Sequence, residues 1–472
     1  MPSTNKYAQE YIQTICKQIR FKGIRNNIAR ELSDHIEDQK NEYIRQGFDE
    51  EIASLKAVEQ MGDPILVGKQ LDRTHRPKME WSILSLAAIL VLMGGIVQFF
   101  LSGVNASKSY VFSHFLKYAP IGIAAFVYLY FFDYTLLVRY SKLLYLILFL
   151  ATLAGFLISY RRNGVYIHVY YSALLFIPIF AGIIYGFRNK GYYGIIVSGV
   201  FYAGAAFLCF LGPSFSSFFF LTVCCLIILT VAIGKGFFGC NEKVALAIVY
   251  VPTLITLFLA ILIMPPSLQT RFYPELDPHG YGYLPLMVRR LFASSRPIGK
   301  AILEGDLAQM SIDRFLPSWN TDFMLTYIIA RLGYIAGFII VAVMFVLILR
   351  MFISVMKQKN AYGFLLSLSA CLAITVQAVL FVLSNIGFIS TFAVILPFIS
   401  FGGIGFVINM ILLGVLLSVY RRTDLVKDKL QGVPGSKPLF TFEDGKLIID
   451  FGQYLDRCER RKSISRFYKN NV

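Results

Sequence analysis

Long apolar runs separated by short polar links dominate the chain from Trp81 onward. A helix needs about 20 apolar residues to cross ~30 Å of hydrocarbon, and ten runs reach or approach that length. They predict membrane spans near residues 82–102, 116–138, 142–159, 171–187, 191–211, 216–234, 244–264, 323–349, 362–385 and 393–419. The pattern therefore predicts an all-α polytopic membrane protein with about ten transmembrane helices, in a domain covering residues 79–420.

The first 78 residues have a different pattern, charged throughout and amphipathic at helical spacing. They predict a small soluble domain of four short helices, with breaks near Gly23, Gly47 and Gly62. Asp49 is a candidate N-cap for a helix that begins with two glutamates. Asp63 followed by Pro64 predicts another helix start, because proline suits the first helical position.

Composition supports this division and narrows the function. Of 472 residues, 56% are hydrophobic and only 15% are charged, too few to cover a soluble protein of this size. The net charge of +17 comes from lysines and arginines in the two tails and in the short links between apolar runs. That distribution is typical of topology signals and lipid contacts, so we expect membrane lipid and no nucleic acid as a partner.

The same basic residues predict the orientation. Alternate links carry a common set of cations: Arg139, Lys142, Arg188, Lys190, Lys235, Lys243, Arg350, Lys357 and Lys359. The positive-inside rule assigns these links, and both basic termini, to the cytoplasmic side of the cell membrane. Arg161 and Arg162 fall on the other side and depart from the rule.

One link, residues 265–322, is far longer than an ordinary connection and is predicted to be exterior. Apolar residues at 284, 287, 288 and 291 recur at helical spacing. We expect this part of the loop to lie on the membrane surface as an amphipathic helix, with its cations facing headgroups or a lipid-linked anion.

The last segment, residues 421–472, is a basic cytoplasmic tail by the same reasoning. Attraction to anionic lipid is the favoured interpretation, and a partner site is the alternative. Alternating residues around 440–451, with Asp444-Gly445 between them, predict a short pair of strands joined by a tight turn.

Several single residues have simple structural explanations. Asp133 is placed in the second span near its cytoplasmic end, where it is expected to pair with Arg139 or Lys142. Pro397 is expected to kink the last span. Gly402 and Gly403 favour close helix packing. No metal site is predicted from the residues themselves, since the histidines are scattered and no cysteine or histidine cluster accompanies them.

Two motifs in the second half of the chain carry a family resemblance. Residues 316–323 read LPSWNTDF and continue to Leu332-Gly333-Tyr334, which resembles the PExHTDFIFA…EELG signature of the SEDS family, the FtsW, RodA and SpoVE type of cell-wall proteins. Residues 396–403, LPFISFGG, match the LPFISYGG motif of that family. Residues 271–283 and Gly299-Lys300 resemble the family's exterior loop, and residues 212–217 weakly resemble its QPDLGT element.

The resemblance implies a peptidoglycan glycosyltransferase that polymerises lipid II, or a related polyprenyl-diphosphate sugar, beside a class B penicillin-binding protein. It assigns Asp322 as the general base that removes a proton from the attacking sugar hydroxyl. A divalent cation, Mg²⁺ or Mn²⁺, or the loop cations would stabilise the diphosphate leaving group. The substrate-binding residues that it implies are Arg271, Arg289, Arg290, Arg296, Lys300, Thr321 and Ser400.

The sequence also departs from the family pattern. Asn320 replaces a histidine, Ala330-Arg331 replaces a pair of glutamates, Ser214 replaces an aspartate and Leu284 a glutamine, and no QPSE…K segment is found. Two other functions therefore stay open: a non-catalytic scaffold or sensor for a cell-wall synthase, and a flippase for a lipid-linked precursor. Without the motif around it, Asp322 would be interpreted as a helix N-cap.

Residues 1–78 have a resemblance of their own. The stretches at 31–39, 47–51, 57–64 and 75–78 look like the helical prefix domain found ahead of bacterial permeases, related to HAAS-type modules. This resemblance implies a regulatory or partner-binding role and no reaction.

Overall fold

The computed structural model describes residues 4–21, 24–74, 76, 79–102, 109–159, 161–162, 165–212, 214–262, 269, 273–280, 282–303, 312–388, 394–423, 440–443 and 446–449. The chain forms two compact units, residues 1–427 and 428–472. The first unit contains a group of short N-terminal helices and a bundle of long apolar helices.

The N-terminal domain has the four predicted helices, α1 (Thr4–Gln18), α2 (Arg25–Arg45), α3 (Glu50–Gln60) and α4 (Pro64–Thr74). Its core is contributed mainly by α1 and α2 through a set of buried residues: Tyr11, Ile15, Ile19, Ile24, Ile28, Leu32, Ile36 and Ala57. These residues recur every three or four positions, so each helix buries one stripe and exposes its charges.

The helix breaks in this domain follow from backbone chemistry. Gly47 and Gly62 adopt φ angles of 93° and 82°, a region that favours glycine, which confirms two of the predicted breaks. Asp63 accepts a hydrogen bond from the N–H group of Ile65 at 3.0 Å, at the start of α4. Asp49 occupies the N-cap position of α3, but its side chain makes no capping hydrogen bond.

The membrane domain contains the long helices α5 (Trp81–Ser102), α6 (Ser109–Phe131), α7 (Thr135–Ile158), α8 (Ile167–Gly186), α9 (Gly191–Leu211), α10 (Phe215–Gly234) and α11 (Glu242–Leu262), followed later by α15 (Tyr334–Met356), α16 (Ala361–Asn385) and α17 (Gly403–Arg421). Among the described residues, nine of these helices are long and apolar enough to cross a membrane. The other, α11, covers the seventh predicted span in 21 residues, and its only charges are at its first two positions. The all-α, multi-pass membrane architecture is thus confirmed.

The second span lies seven residues earlier than predicted, because Asp133 marks a turn rather than the interior of a helix. Its Oδ1 accepts hydrogen bonds from the N–H group and the hydroxyl of Thr135, at 3.0 and 2.8 Å, where α7 begins. The predicted pairing with Arg139 or Lys142 is wrong. The partner is Arg422, whose Nη1 lies 3.0 Å from Asp133 Oδ1 and also donates to the carbonyl of Phe132 at 2.8 Å.

Two predicted spans are interrupted at their outer ends. The eighth divides at Gly333, with φ 101° and ψ 171°, into a short helix α14 (Met324–Leu332) and the crossing helix α15. The tenth begins with non-helical residues 394–402, and only α17 crosses. Pro397 therefore precedes the helix instead of kinking it. Gly403 does permit close packing, since a Cβ there would lie 2.2 Å from the ring of Tyr118.

The interior of the bundle is formed by α8, α16 and α17, the most buried of the spans, whereas α7 is the most exposed. The side chain of Asn360 caps α16 by accepting hydrogen bonds from the N–H groups of Tyr362 and Gly363, at 2.9 and 3.2 Å. Helices α16 and α17 are antiparallel neighbours joined by residues 386–402. The end of α16 and the beginning of α17 therefore lie at the same end of the bundle.

The described part of the long loop 265–322 includes a 3₁₀ turn (Pro274–Leu276) and the helices α12 (Tyr283–Ala293) and α13 (Ile312–Phe315). The predicted amphipathic helix is present as α12, and its apolar face packs against the protein. Its apolar residues Met287, Val288 and Leu291 are buried within the protein, where α12 packs against α14.

The described residues also include four short strands. β1 (Arg161–Arg162) pairs with β2 (Val165–Tyr166) between α7 and α8. In the second unit, β3 (Phe440–Glu443) pairs antiparallel with β4 (Lys446–Ile449), with Glu443 opposite Lys446. This register confirms the strand pair predicted for the tail.

Candidate active site

Two non-helical segments meet at the end of the bundle where α16 ends and α17 begins. The first, residues 316–323, precedes α14, and the second, residues 394–402, precedes α17. Ser400 Oγ donates a hydrogen bond to the backbone oxygen of Thr321 at 3.3 Å, and the N–H group of Phe401 donates to the oxygen of Asn320 at 3.1 Å. The structure thus brings together the two motifs that are separated by about 70 residues of sequence.

Each segment contains one non-glycine residue in the left-handed region of the backbone. Ser318 has φ 57° and Phe398 has φ 68°, which is uncommon and especially unfavourable for a bulky residue. The oxygen of Ser318 accepts the N–H groups of Thr321 and Phe323, at 3.0 and 3.2 Å, so the first segment folds back on itself. Strained conformations of this kind persist where the surroundings determine them, and they concentrate at functional sites.

The second segment is held from two sides by amides inside apolar helices. Gln98 Nε2, in α5, donates to the oxygen of Ile399 at 2.9 Å, and Gln377 Nε2, in α16, donates to the oxygen of Ile395 at 2.9 Å. Ser400 Oγ also accepts the N–H group of Leu396 at 2.9 Å. Because these backbone groups are buried away from water, each of these hydrogen bonds satisfies a group that would be costly to leave unpaired.

The first segment is held by Asn385, the last residue of α16. Its Nδ2 donates to the backbone oxygen of Asp322 at 2.9 Å, and its Oδ1 accepts the N–H group of Thr326 at 2.9 Å. Asn385 therefore supplies the cap for the first turn of α14, whose N-cap position is Phe323. The interpretation of Asp322 as the N-cap of this helix is wrong.

Asp322 lies at the centre of this arrangement, with only 2% of its surface exposed. Tyr170, in α8, is likewise buried, with 1% of its surface exposed. In the part of the membrane domain that the structure describes, Asp322 is the only buried acidic residue. A buried carboxylate is energetically costly in such surroundings, so its presence favours a functional role.

An aromatic cluster lies beside the second segment. The ring of His114, from α6, stacks on Tyr118 with centroids 4.6 Å apart and lies 4.8 Å from the ring of Phe401. The ring of Tyr110 meets Phe401 edge-on at 5.9 Å. Since Phe401 is bonded through its backbone to Asn320, this cluster forms one wall of the candidate site.

The predicted cations occupy a neighbouring region. Arg289 and Arg290 lie on α12, and Arg289 donates to Glu275 at 2.7 Å and to the oxygen of Gly387 at 2.9 Å. Arg290, Arg296 and Lys300 are exposed. Arg271 lies outside the described residues.

Arg296 and Lys300 belong to a stretch that lies alongside the break between α14 and α15. The N–H groups of Gly299 and Ala301 donate to the oxygens of Leu332 and Ala330, at 3.0 and 2.7 Å. This region is connected to Asp322 through α14. That helix begins two residues after Asp322 and packs against α12, which carries Arg289 and Arg290.

The QPDLGT-like element is placed at the start of α10. Ser214 is buried and bonded to Ser217, so the position of the family's aspartate is occupied here by a neutral hydroxyl. At the positions of the glutamate pair, Ala330 is buried, and Arg331 donates to the hydroxyl of Tyr327 at 3.1 Å.

Sequence reasoning missed Gln98, Gln377 and Asn385, the amides that fix the site. The available signal was one amide in the apolar helix α5 and two in the apolar helix α16, because polar groups at membrane depth are retained where they have partners.

Together these features describe a multi-pass helical membrane protein with one buried carboxylate where two motif segments are joined. The family model of the FtsW, RodA and SpoVE cell cycle proteins matches residues 80–425. The chain belongs to this family, also known as SEDS.

Individual relatives are more distant. A probable peptidoglycan glycosyltransferase FtsW from Trichlorobacter lovleyi is 29% identical over 146 residues, covering 31% of this chain and 37% of the relative. The peptidoglycan glycosyltransferase MrdB of Escherichia coli K12 is 28% identical over 151 residues, covering 31% of this chain and 39% of the relative. The chain thus spans less than half the length of these two curated relatives.

Solved structures share the fold over a larger part of the chain. A chain from a peptidoglycan synthase complex aligns with a TM-score of 0.58 at 15% identity, covering 73% of this chain and 98% of that one. The rod shape determining protein RodA of Thermus thermophilus aligns with a TM-score of 0.51 at 14% identity, covering 73% and 97%. At this level of identity the likeness concerns the fold.

Proposed function

We propose that the protein is a peptidoglycan glycosyltransferase that polymerises lipid II, or a related polyprenyl-diphosphate sugar, with Asp322 as the general base. The observation that carries the proposal is the burial of Asp322 at the junction of the two motif segments. Hydrogen bonds from Ser400 to Thr321 and from Asn385 to Asp322 hold that junction in one geometry.

The chemistry needs one proton acceptor. A sugar hydroxyl of the acceptor attacks the anomeric carbon of the donor, and the new glycosidic C–O bond forms as the bond to the diphosphate oxygen breaks. Asp322 takes the hydroxyl proton, and the polyprenyl diphosphate leaves with the bonding electron pair. A fixed carboxylate serves this reaction well, because correct positioning accounts for a large part of enzymatic rate enhancement.

Stabilisation of the leaving group is assigned to the loop cations. Arg290, Arg296 and Lys300 are exposed and can reach an anion, whereas Arg289 is partly engaged by Glu275. Arg271 completes the proposed set. The described residues hold no group of three or more metal-binding side chains, so Mg²⁺ or Mn²⁺ would be held chiefly by the diphosphate oxygens, as is usual for Mg²⁺ at phosphates.

The proposed setting is the bacterial cell membrane, with both termini cytoplasmic by the positive-inside rule. A class B penicillin-binding protein is the proposed partner. The similarity to a chain from a peptidoglycan synthase complex supports an assembly of this kind.

The polar interior favours polymerisation over lipid flipping. Apart from Asp322, the buried polar residues described in the membrane domain are neutral serines, threonines, asparagines and glutamines. A flippase for diphosphate lipids should need a charged path through the bundle. One observation supports the alternative of a non-catalytic scaffold: Ala330 and Arg331 replace the family's pair of glutamates.

The test is a polymerisation assay with purified protein and fluorescent lipid II, with and without a class B penicillin-binding protein. The wild type should give glycan ladders, and Asp322→Asn should give none while keeping the melting temperature. Asp277→Asn is the matched control, because an asparagine there can still accept the N–H group of Gly280. Ladders from Asp322→Asn at the wild-type rate would end the assignment, and no ladder from any wild-type sample would favour the scaffold.

A further inference from the structure

The N-terminal domain contains an open cavity of about 500 Å³ between the end of α1 and one face of α4. Four cations line it, Arg20, Lys69, Arg73 and Arg76, against the single carboxylate of Asp72. This cavity is outside the membrane domain, and the proposed glycosyltransferase reaction does not use it.

The negative charge of Asp72 is already engaged by its surroundings. Asp72 is 6% exposed, its Oδ1 accepts the N–H group of Arg20 at 2.8 Å, and its Oδ2 accepts Nη2 of Arg76 at 3.0 Å. The carboxylate therefore organises the cavity and leaves most of the positive charge facing solvent.

Lys69 and Arg73 are four residues apart on α4, so two like charges lie on the same helix face. Like charges at this spacing repel each other and destabilise a helix. Within the described residues, neither side chain forms an ion pair or a hydrogen bond. An anion bound between them would remove the repulsion.

The cavity lies near the membrane surface. Arg76 precedes Trp81, the first residue of α5, by five residues, which at full extension span no more than about 18 Å. Trp81 is 70% exposed at the start of the span, as expected for an aromatic residue at the level of the headgroups. A basic cluster next to a membrane helix attracts anionic lipid, and the attraction grows with each cation close to the surface.

We propose that this cavity binds the phosphate of an anionic phospholipid headgroup in the leaflet where α5 begins, through Lys69, Arg73 and Arg76. The bound lipid fixes the N-terminal domain against the membrane. Zwitterionic lipids bind less well, because their own cation opposes the cluster.

The test uses the full-length protein in nanodiscs of phosphatidylcholine, with or without 30% phosphatidylglycerol, and hydrogen–deuterium exchange of peptides covering residues 64–76. Phosphatidylglycerol should slow exchange there several-fold, and 0.5 M NaCl should reverse the effect. The double variant Lys69→Gln/Arg73→Gln should lose the protection.

The matched control is Arg30→Gln/Arg45→Gln, which removes the same charge from exposed positions on α2 and should retain the protection. Loss of protection in this control would show a general effect of net charge and overturn the site. Equal exchange in both lipid compositions would overturn it as well. So would equal protection in pure phosphatidylcholine on adding 10 mM inorganic phosphate, since the ligand would then be soluble.

Discussion

Asn385 and Asp322 are joined by a hydrogen bond of 2.9 Å from the side-chain amide of Asn385 to the backbone oxygen of Asp322. Asn385 is fully buried at the end of α16, and its side-chain oxygen accepts a hydrogen bond from the N–H group of Thr326. The backbone of the proposed base, Asp322, is thus fixed by a residue 63 positions away in the chain.

Asn385→Ala should therefore damage both stability and activity. Removal of one partner leaves buried polar groups unsatisfied, at about 1–3 kcal/mol for each group. We expect a lower melting temperature in detergent and a polymerisation rate reduced by at least about tenfold, which is the effect of 1.4 kcal/mol on the barrier.

The control for this experiment is Asn409→Ala in α17. Asn409 is equally buried, but its Nδ2 donates only within its own helix, to the oxygen of Gly405. Its removal should leave polymerisation near the wild-type rate. Equal loss of activity in both variants would mean that burial of an amide, and not its link to the Asp322 segment, matters.

Ser400→Ala removes the hydroxyl that joins Leu396 to Thr321. The expected result is a several-fold loss of kcat in lipid II polymerisation and a lower melting temperature, because the N–H group of Leu396 and the oxygen of Thr321 both lose a buried partner, at about 1–3 kcal/mol for each group. Ser369→Ala is the control, since Ser369 is buried and bonds only within α16. An unaltered kcat for Ser400→Ala would exclude a positioning role for this hydroxyl.

Gly94→Ala should disturb the site from the side of α5. A Cβ at Gly94 would lie 2.7 Å from the oxygen of Phe398 and 3.0 Å from Cα of Ile399, so the backbone of the second segment must move. We expect lower activity and a lower melting temperature.

The matched substitution is Gly199→Ala in α9, where a Cβ meets nothing within 4 Å. Alanine should stabilise that helix by up to about 1 kcal/mol, and activity should be retained. If Gly94→Ala also retained activity and melting temperature, the close approach of α5 to residues 398–399 would not be needed for activity.

The N-terminal domain should lose stability in acid through Asp72. The N–H group of Arg20, together with Arg76, lowers the pKa of this carboxyl group below its ordinary value of 3.8. A lowered folded-state pKa stabilises the domain above that ordinary value, and the contribution disappears as the pH falls through the lowered pKa.

The measurement is proteolysis of the N-terminal helices in the full-length protein at several pH values. Wild type should resist cleavage better than Asp72→Asn at pH 7, and the difference should shrink as the pH approaches 3. A difference that stays constant over this range would mean that the charge of Asp72 does not stabilise the domain.

Much of the fold follows from the sequence, because membrane helices are specified by long apolar runs and the short N-terminal helices by glycine breaks such as Gly47 and Gly62. The errors occur where local pattern and tertiary contact disagree. Asp133 was placed inside a span, since hydropathy cannot show that Arg422, from the other end of the chain, pairs with it at the turn. The breaks before α15 and α17 were missed because residues 324–332 and 394–402 are predominantly apolar and continue without a polar link into the spans that they precede.

The candidate site was predictable only in part. The motif resemblance identified Asp322, Thr321 and Ser400, and the structure brings these three together. The supports from Gln98 and Asn385 depend on contacts between residues far apart in the chain, which spacing does not reveal.

Helix α5 connects the two ends of the molecule in a single rigid element. It begins at Trp81, seven residues after the end of α4, and Gln98 near its other end holds the oxygen of Ile399. The distance between those two positions along the axis is about 26 Å. A tilt of α5 would therefore move the backbone oxygen that Gln98 holds, next to the strained Phe398, at the opposite end of this helix from Trp81.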